Sequence, residues 1–255
     1  MLKLLLTVIL LTSSLSTLAS PPVINTQSYI DDIVTNPEQT FYELQTQLEV
    51  GLKPQEKAKL QVILAEVAYF VDRSEHILSY VKEAMSSGLL DDYWHARALV
   101  IKARGHYQRR EDELYLITAQ MAFKKAKQIN TPAIETGALI ELILANLILE
   151  KDQQLKANMI LVDKYLSFLH DGFNKAILLE RYASILSEQE SFSAATEISN
   201  QTINMFKALK SPHFTSISFY NLGRIEQQRQ NYKQSAHAME LSYRSALTDE
   251  NFLNQ

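Results

Sequence analysis

The sequence predicts an all-α protein, a solenoid of antiparallel helix pairs, and three observations lead there. First, a small residue returns at near-regular intervals inside helix-like apolar runs. Ala65, Ala103, Ala145, Ala183 and Gly223 stand in VILAEV, VIKARG, LILANL, ERYASI and YNLGRI, at spacings of 38, 42, 38 and 40 residues. Second, in the last three units another small residue follows 12 positions later, at Ala157, Ala195 and Ser235. Such a period marks stacked helix pairs, in which a small side chain lets one helix approach its partner closely. Third, no stretch shows sustained two-residue alternation, so strands are not expected.

The helix starts are legible. Asn36-Pro37-Glu38 joins a good cap to proline at the first helical position, where a missing N–H costs nothing. Pro54, Pro132 and Pro212 likewise precede QEKAKLQVILAEV, AIETGALIELIL and HFTSISFYNLG, and no proline interrupts a periodic run. Asp91 and Ser191 are caps for helices without proline. Gly88 and Gly172 fall between runs, where a left-handed residue can end a helix. These signals predict helices over 37–50, 54–71, 74–86, 91–108, 111–129, 132–150, 153–170, 173–188, 191–209, 212–229 and 231–247. The short loops force neighbours to pack antiparallel.

The N-terminus reads as a secretory signal over residues 1–19. Lys3 supplies positive charge, Leu4 to Leu11 an apolar stretch, and TSSLSTLAS a small-residue exit cleaved after Ala19. An uncleaved anchor is the other reading, since Leu2 to Leu18 is mostly apolar and of minimal spanning length. Residues 20–36 form a linker and 37–255 the repeat domain. SALTDENFLNQ reads as a helix end, a cap at Thr248 or Asp249, and the first turn of another helix. Phe252 and Leu253 then open an unfinished unit, so the domain is expected to continue beyond the given residues. With no cysteine among 255 residues, disulfides, thiol nucleophiles and cysteine metal sites are excluded. The net charge of −4 argues against a nucleic-acid partner, which needs a basic excess.

Little in the chain suggests catalysis. The six histidines, at 76, 95, 106, 170, 213 and 237, form no i, i+4 pair and no HExxH string. Asp31-Asp32 and Asp91-Asp92 diverge by about 100° on a helix and make no carboxylate pair. No phosphate loop, GxSxG elbow or kinase signature occurs. Neither a catalytic residue, a cofactor-binding residue nor a metal ligand is assigned. Arg109-Arg110 before Glu111-Asp112-Glu113 reads as a charged turn or a docking patch.

The segment FYNLGRIEQQRQNYKQSAHAMELSYRSAL resembles a tetratricopeptide (TPR) repeat. Phe219, the pair Leu222-Gly223 and Tyr232 stand at family positions; Ser235 and Ser242 replace its alanines, and Met239 takes its large apolar place. Glu226 departs from the pattern, standing where an aromatic residue is usual. The resemblance implies a right-handed superhelix whose first helices line a concave groove through positions 2, 5, 9 and 12. Those positions are Ile217, Tyr220, Arg224 and Gln227 in the last unit and Arg97, Val100, Arg104 and Tyr107 in the second. Registered on Ala65 and Ala145, they are Lys59, Val62, Glu66 and Tyr69, then Leu139, Leu142, Asn146 and Leu149. The ligand contacts so implied are Tyr69, Arg97, Arg104, Tyr107, Asn146, Tyr220, Arg224 and Gln227. Arginine there suits a peptide carrying an acidic group; the alternative is arginines paired with neighbouring glutamates on solvated faces.

A long TPR array behind a signal peptide also resembles the periplasmic sensor region of bacterial proteins that continue into a diguanylate cyclase or histidine kinase. The resulting expectation is an exported module that binds a peptide or protein, with no cofactor and any enzyme activity residing in a missing domain. Membrane attachment would come only through an uncleaved signal or a missing C-terminal segment. A freestanding periplasmic scaffold or chaperone-like adaptor is the competing reading.

Overall fold

A computed structural model describes residues 32–253, so the expected signal peptide and most of the linker lie outside the described residues. Among the described residues a helical stretch at 32–35 precedes eleven helices: α1 (Pro37–Glu49), α2 (Pro54–Phe70), α3 (Ser74–Ser86), α4 (Asp92–Gln108), α5 (Asp112–Ile129), α6 (Pro132–Ile148), α7 (Asp152–Phe168), α8 (Phe173–Glu188), α9 (Phe192–Ala208), α10 (Pro212–Gln228) and α11 (Tyr232–Leu253). The described residues contain no strand. Consecutive helices pack on each other at every step except α7 to α8, and α2, α4, α6, α8 and α10 also touch one another in series. The even helices therefore form an inner layer and the odd ones an outer layer, as in an all-α helical-repeat solenoid. None is long and apolar enough to cross a membrane.

The helix starts behave as their chemistry dictates. Asn36 accepts from the Gln39 N–H and Asp91 from the Trp94 N–H, and prolines open α1, α2, α6 and α10. Ser191 occupies a cap position without a capping bond. The stops differ from expectation. Gly88 is left-handed at φ 66°, but Gly172 is extended at φ 164° and starts α8. The working stops are charged or amide residues: Arg110, Glu150, Glu190 and Gln230, forty residues apart, with Asn130 and Lys210 half a unit away. Every one of these turns except that at Asn130 satisfies the last carbonyls through paired backbone bonds. The Glu190 N–H donates to Ser187 O at 2.9 Å and the Ser191 N–H to Leu186 O at 2.8 Å. A left-handed non-glycine residue costs about 1–2 kcal/mol, which these paired bonds offset.

The recurring small residues lie between helices. Ala65, Ala103, Ala145 and Ala183 are at most 2% exposed, and Gly223 is buried. A Cβ on Gly223 would lie 2.9 Å from Met239 Cε, and one on Gly105 would lie 2.6 Å from Leu78 Cδ2. Ala157, however, is exposed. The fourth residue of each of the last four outer helices keeps a strict step of forty: Tyr115, Leu155, Ala195 and Ser235, all buried. The third unit thus holds Leu155 where Ala157 was expected. Its inner helix begins forty residues after Asp92, so Ile143, not Ala145, matches Ala103, Ala183 and Gly223. At the far end α11 runs unbroken to Leu253, in place of the expected break. The Thr248 hydroxyl donates to Arg244 O, a bond made inside a helix and not at its start.

The superhelix closes on itself. Residues 32–35, read as linker, are helical, and Ile33 and Val34 are buried. The Ser211 hydroxyl, at the start of α10, donates to the Val34 carbonyl. Phe70 at the end of α2 meets Phe173 of α8 at 5.7 Å, and Phe214 of α10 stacks on Phe206 of α9 at 5.4 Å. Aromatic pairs in this geometry contribute about 0.5–1.5 kcal/mol each beyond burial. The first and last units therefore share one core.

Candidate ligand-binding site

Closure leaves a cavity of about 100 Å³ on the inner face, formed by side chains from α2, α4, α6 and α8. Phe70, Val100, Ile134 and Phe173 give it apolar walls; Glu66, Arg97, Arg104 and Asn174 give it polar ones. Helical spacing explains the set. Arg97, Val100 and Arg104 lie on one face of α4, separated by one and two turns, and Glu66 and Phe70 are one turn apart on α2. Gly137, which also lines the cavity, has no side chain to fill it.

Two of the expected groove arginines are held internally. Arg97 donates through Nε (2.9 Å) and Nη2 to Glu66 Oε2. Arg104 donates through Nε to Glu141 Oε1 at 2.8 Å, and its Nη1 lies 3.6 Å from Glu66 Oε1 without a hydrogen bond. Tyr115, on the outer layer, completes the set by donating to Glu141 Oε2 at 2.9 Å. Burial pushes the Glu66 carboxyl up, but the Arg97 and Arg104 guanidiniums outweigh it and hold its pKa below the usual 4.5. Burial, then Glu141, push the Tyr115 hydroxyl well above its ordinary value of 10. The arginines are thus paired with glutamates, as the alternative reading had it. The pairing occurs in the interior, because the inner helices of adjacent units face each other there.

A third guanidinium stands beside them. Arg181 of α8 donates to the Tyr69 hydroxyl and lies 5.7 Å from the Tyr69 ring and 5.8 Å from the Tyr107 ring. Tyr69 takes Arg104 as well, at 5.1 Å. Among the described residues no carboxylate pairs with Arg181, and burial lowers its pKa to about 10. The adjacent Glu180 is turned toward α10, accepting from Ser218 and Asn221, and burial raises its pKa above the usual 4.5.

The structure brings Tyr69, Arg97, Arg104 and Tyr107 together on the inner face. Asn146 is elsewhere: it is buried, donates to Leu142 O within its own helix, and does not line the cavity. In its unit the positions forty residues after Arg97, Val100, Arg104 and Tyr107 are Gly137, Ile140, Leu144 and Leu147, two residues before those expected. Tyr220, Arg224 and Gln227 are exposed on α10 and do not line the cavity. Glu226, the departure from the TPR pattern, is buried and accepts from Thr196 and Asn231, both at 2.7 Å. Arg109 and Arg110 are exposed in the turn before α5, Arg110 in the left-handed conformation. Sequence reading missed Glu141, Arg181, Phe173 and Asn174. Forty and eighty residues before Glu141 and Arg181 stands Ile101, and Ile63 holds the same place along α2, both at most 1% exposed. Charge in an otherwise apolar core column was the available signal.

No protein-family model matches the sequence, and no curated protein matches it. Solved structures do match. BtubC (BKLC) from P. vanneervenii has a TM-score of 0.55 at 10% identity, over 87% of this chain and 89% of that one. A Rap protein complexed with competence and sporulation factor has a TM-score of 0.59 at 12% identity, over 86% and 71%. The apo form of RapI has a TM-score of 0.52 at 11% identity, over 84% and 91%. At such identities the likeness shows the fold alone. The chain has a TPR-like helical-repeat fold.

Proposed function

We propose that this chain is an exported repeat module that binds a peptide or protein partner on its inner face. In this reading it is the periplasmic, sensory part of a membrane signalling protein whose output domain, a diguanylate cyclase or histidine kinase, follows it. One observation carries the binding half: the cavity takes its walls from four inner helices spread over more than half of the chain. An occupant there touches units that are remote in sequence, so its binding energy biases the curvature that joins them. The similar Rap structure, in complex with competence and sporulation factor, supports a partner-binding role for this fold. The export half rests on Lys3, the Leu4 to Leu11 core and the exit at Ala19.

Two experiments test these halves. Alkaline phosphatase, active only after export, is fused behind Gln255. Activity that disappears on deletion of residues 1–19 supports export; a full-length fusion that accumulates without activity removes it. A displayed peptide library is panned against the full chain, with Val100→Trp, which fills the cavity, as counter-selection. Peptides retained by the parent and lost by the variant support inner-face binding. Peptides retained equally by both place recognition elsewhere.

A second reading, a freestanding scaffold, is favoured by a stripe on the outer layer. Leu114, Ile117 and Met121 of α5 are each about half exposed and lie at helical spacing. Peptides retained equally by the parent and Val100→Trp, but lost on Ile117→Asp, would favour this reading.

A further inference from the structure

The inner face holds three guanidiniums, Arg97, Arg104 and Arg181, but among the described residues only two carboxylates pair with them, Glu66 and Glu141. The excess charge is localised. Arg97 gives both of its observed carboxylate bonds to Glu66, and Arg104 gives its Nε bond to Glu141, leaving Nη1 buried without an acceptor. Arg104 is 6% exposed, so water has little access to that donor. Arg181 offers only one observed bond, to the neutral hydroxyl of Tyr69. Both guanidiniums lie within 6 Å of the same ring, that of Tyr69. A half-buried cation without a carboxylate and an orphaned donor beside it are each unfavourable alone, and a single anion relieves both.

We propose that Arg104 and Arg181, set about the Tyr69 ring, form an anion subsite that receives the carboxylate of a ligand whose apolar body lies in the adjoining cavity. The two guanidiniums offer planar donors suited to the two oxygens of a carboxylate. Phe70, Val100, Ile134 and Phe173 supply a surface for an apolar chain or ring next to that charge. Tyr69, Tyr107 and Arg181 keep partial exposure, so the seat can be reached from the inner face. Glu180 does not neutralise Arg181, because its oxygens are taken by Ser218 and Asn221. The subsite deepens the inner-face reading above: it names the chemical group recognised, and Arg181, absent from the residues expected from sequence, as its main contact.

The test uses the full chain and 3-phenylpropionate, an apolar ring bearing one carboxylate, with the neutral 3-phenylpropionamide as control. Titration calorimetry is expected to show the acid binding at least about tenfold more tightly than the amide. Arg181→Gln is expected to abolish that preference, while Arg181→Lys, which keeps the charge, retains a preference of about threefold or more. Thermal melting of each variant without ligand separates lost binding from lost folding, and Arg181→Lys keeps the test decisive if Arg181→Gln does not fold. Equal affinity for acid and amide, absence of binding by either, or an undiminished preference in Arg181→Gln overturns the subsite. The panned peptides, compared with free and amidated C-termini, show whether the carboxylate comes from a peptide. Acid binding without any inner-face peptide would retain the subsite and refute the peptide reading.

Discussion

Phe70 and Phe214 meet edge to face, their ring centroids 5.2 Å apart and their planes at 84°, although one ends the first inner helix and the other begins the last. This contact, with the hydrogen bond from Ser211 to Val34 across 177 residues, turns an open stack into a closed one. Repeat arrays usually distribute stability among nearest neighbours. Here remote units are coupled as well, and the inner face becomes a cavity.

Removing that coupling should be costly. Phe214 is 3% exposed, and truncation of such a ring typically destabilises by about 3–5 kcal/mol. Phe214→Ala is therefore expected to lower the urea midpoint and raise the radius of gyration in solution scattering. An unchanged radius with lowered stability would show that the rest of the inner face holds the stack closed.

The buried charges make a sharper prediction. The Glu141 side chain is fully buried, and its ion partner is Arg104. Arg104→Met leaves that carboxylate uncompensated and is expected to cost about 3–5 kcal/mol, whereas the double change Arg104→Met with Glu141→Met should recover much of the loss. A double-mutant cycle from denaturant unfolding reads the coupling. Additive losses would refute the pairing.

Two carboxylates on neighbouring parts of the inner layer should respond to pH in opposite directions. The folded pKa of Glu66 lies below 4.5, so its contribution is present above that value and is lost as pH falls through the folded pKa. The folded pKa of Glu180 lies above 4.5, so the folded state prefers it protonated and its contribution fades as pH rises. At about pH 7, Glu66→Gln should destabilise and Glu180→Gln should stabilise, with both differences shrinking at about pH 4. Urea midpoints at the two pH values decide the signs.

Close helix contact should distinguish two glycines. A methyl at Gly105 would strike Leu78 Cδ2 and Cγ and press on Ile77 Cγ2, so Gly105→Ala is expected to cost about 1–3 kcal/mol despite better helix propensity. At Gly223 the obstacle is the flexible tip of Met239, and Gly223→Ala should stay within about 1 kcal/mol of the parent. Thermal unfolding ranks the two.

At the turns, Glu190 is left-handed with φ 59°. Glu190→Gly should stabilise by about 1 kcal/mol by removing the Cβ penalty, and Glu190→Val should destabilise by at least as much. A loss on Glu190→Gly would mean that the freedom gained by the unfolded chain outweighs the relief.

How much of this was legible depends on the range of the interactions involved. Helix number, most boundaries and the pairing of neighbours come from local rules: prolines and caps at the starts, apolar periodicity along each run, and alanine-sized residues such as Ala65, Ala103 and Ala183 where helices touch. The reading slipped where a short-range pattern matched by coincidence. Ala145 and Ala157 imitate the register of the other units, yet the strict step of forty passes through Ile143 and Leu155. The left-handed stops escaped because Arg110, Glu150 and Lys210 carry no local sign of that conformation; the Schellman bonds around them impose it. The roles of Arg97 and Arg104 could not be settled locally either, since their partners Glu66 and Glu141 sit on other helices.

The sequence by itself therefore determined a coil of paired helices and put Tyr69, Arg97, Arg104 and Tyr107 on its inner side. Only the tertiary structure decided that the coil closes, that both of those arginines pair with glutamates of other inner helices, and that, among the described residues, no carboxylate pairs with Arg181 beside them. The physical reason is that helix formation and neighbour packing depend on residues within about one repeat of each other. Closure and charge balance instead depend on which side chains meet once small rotations between units have accumulated along the stack.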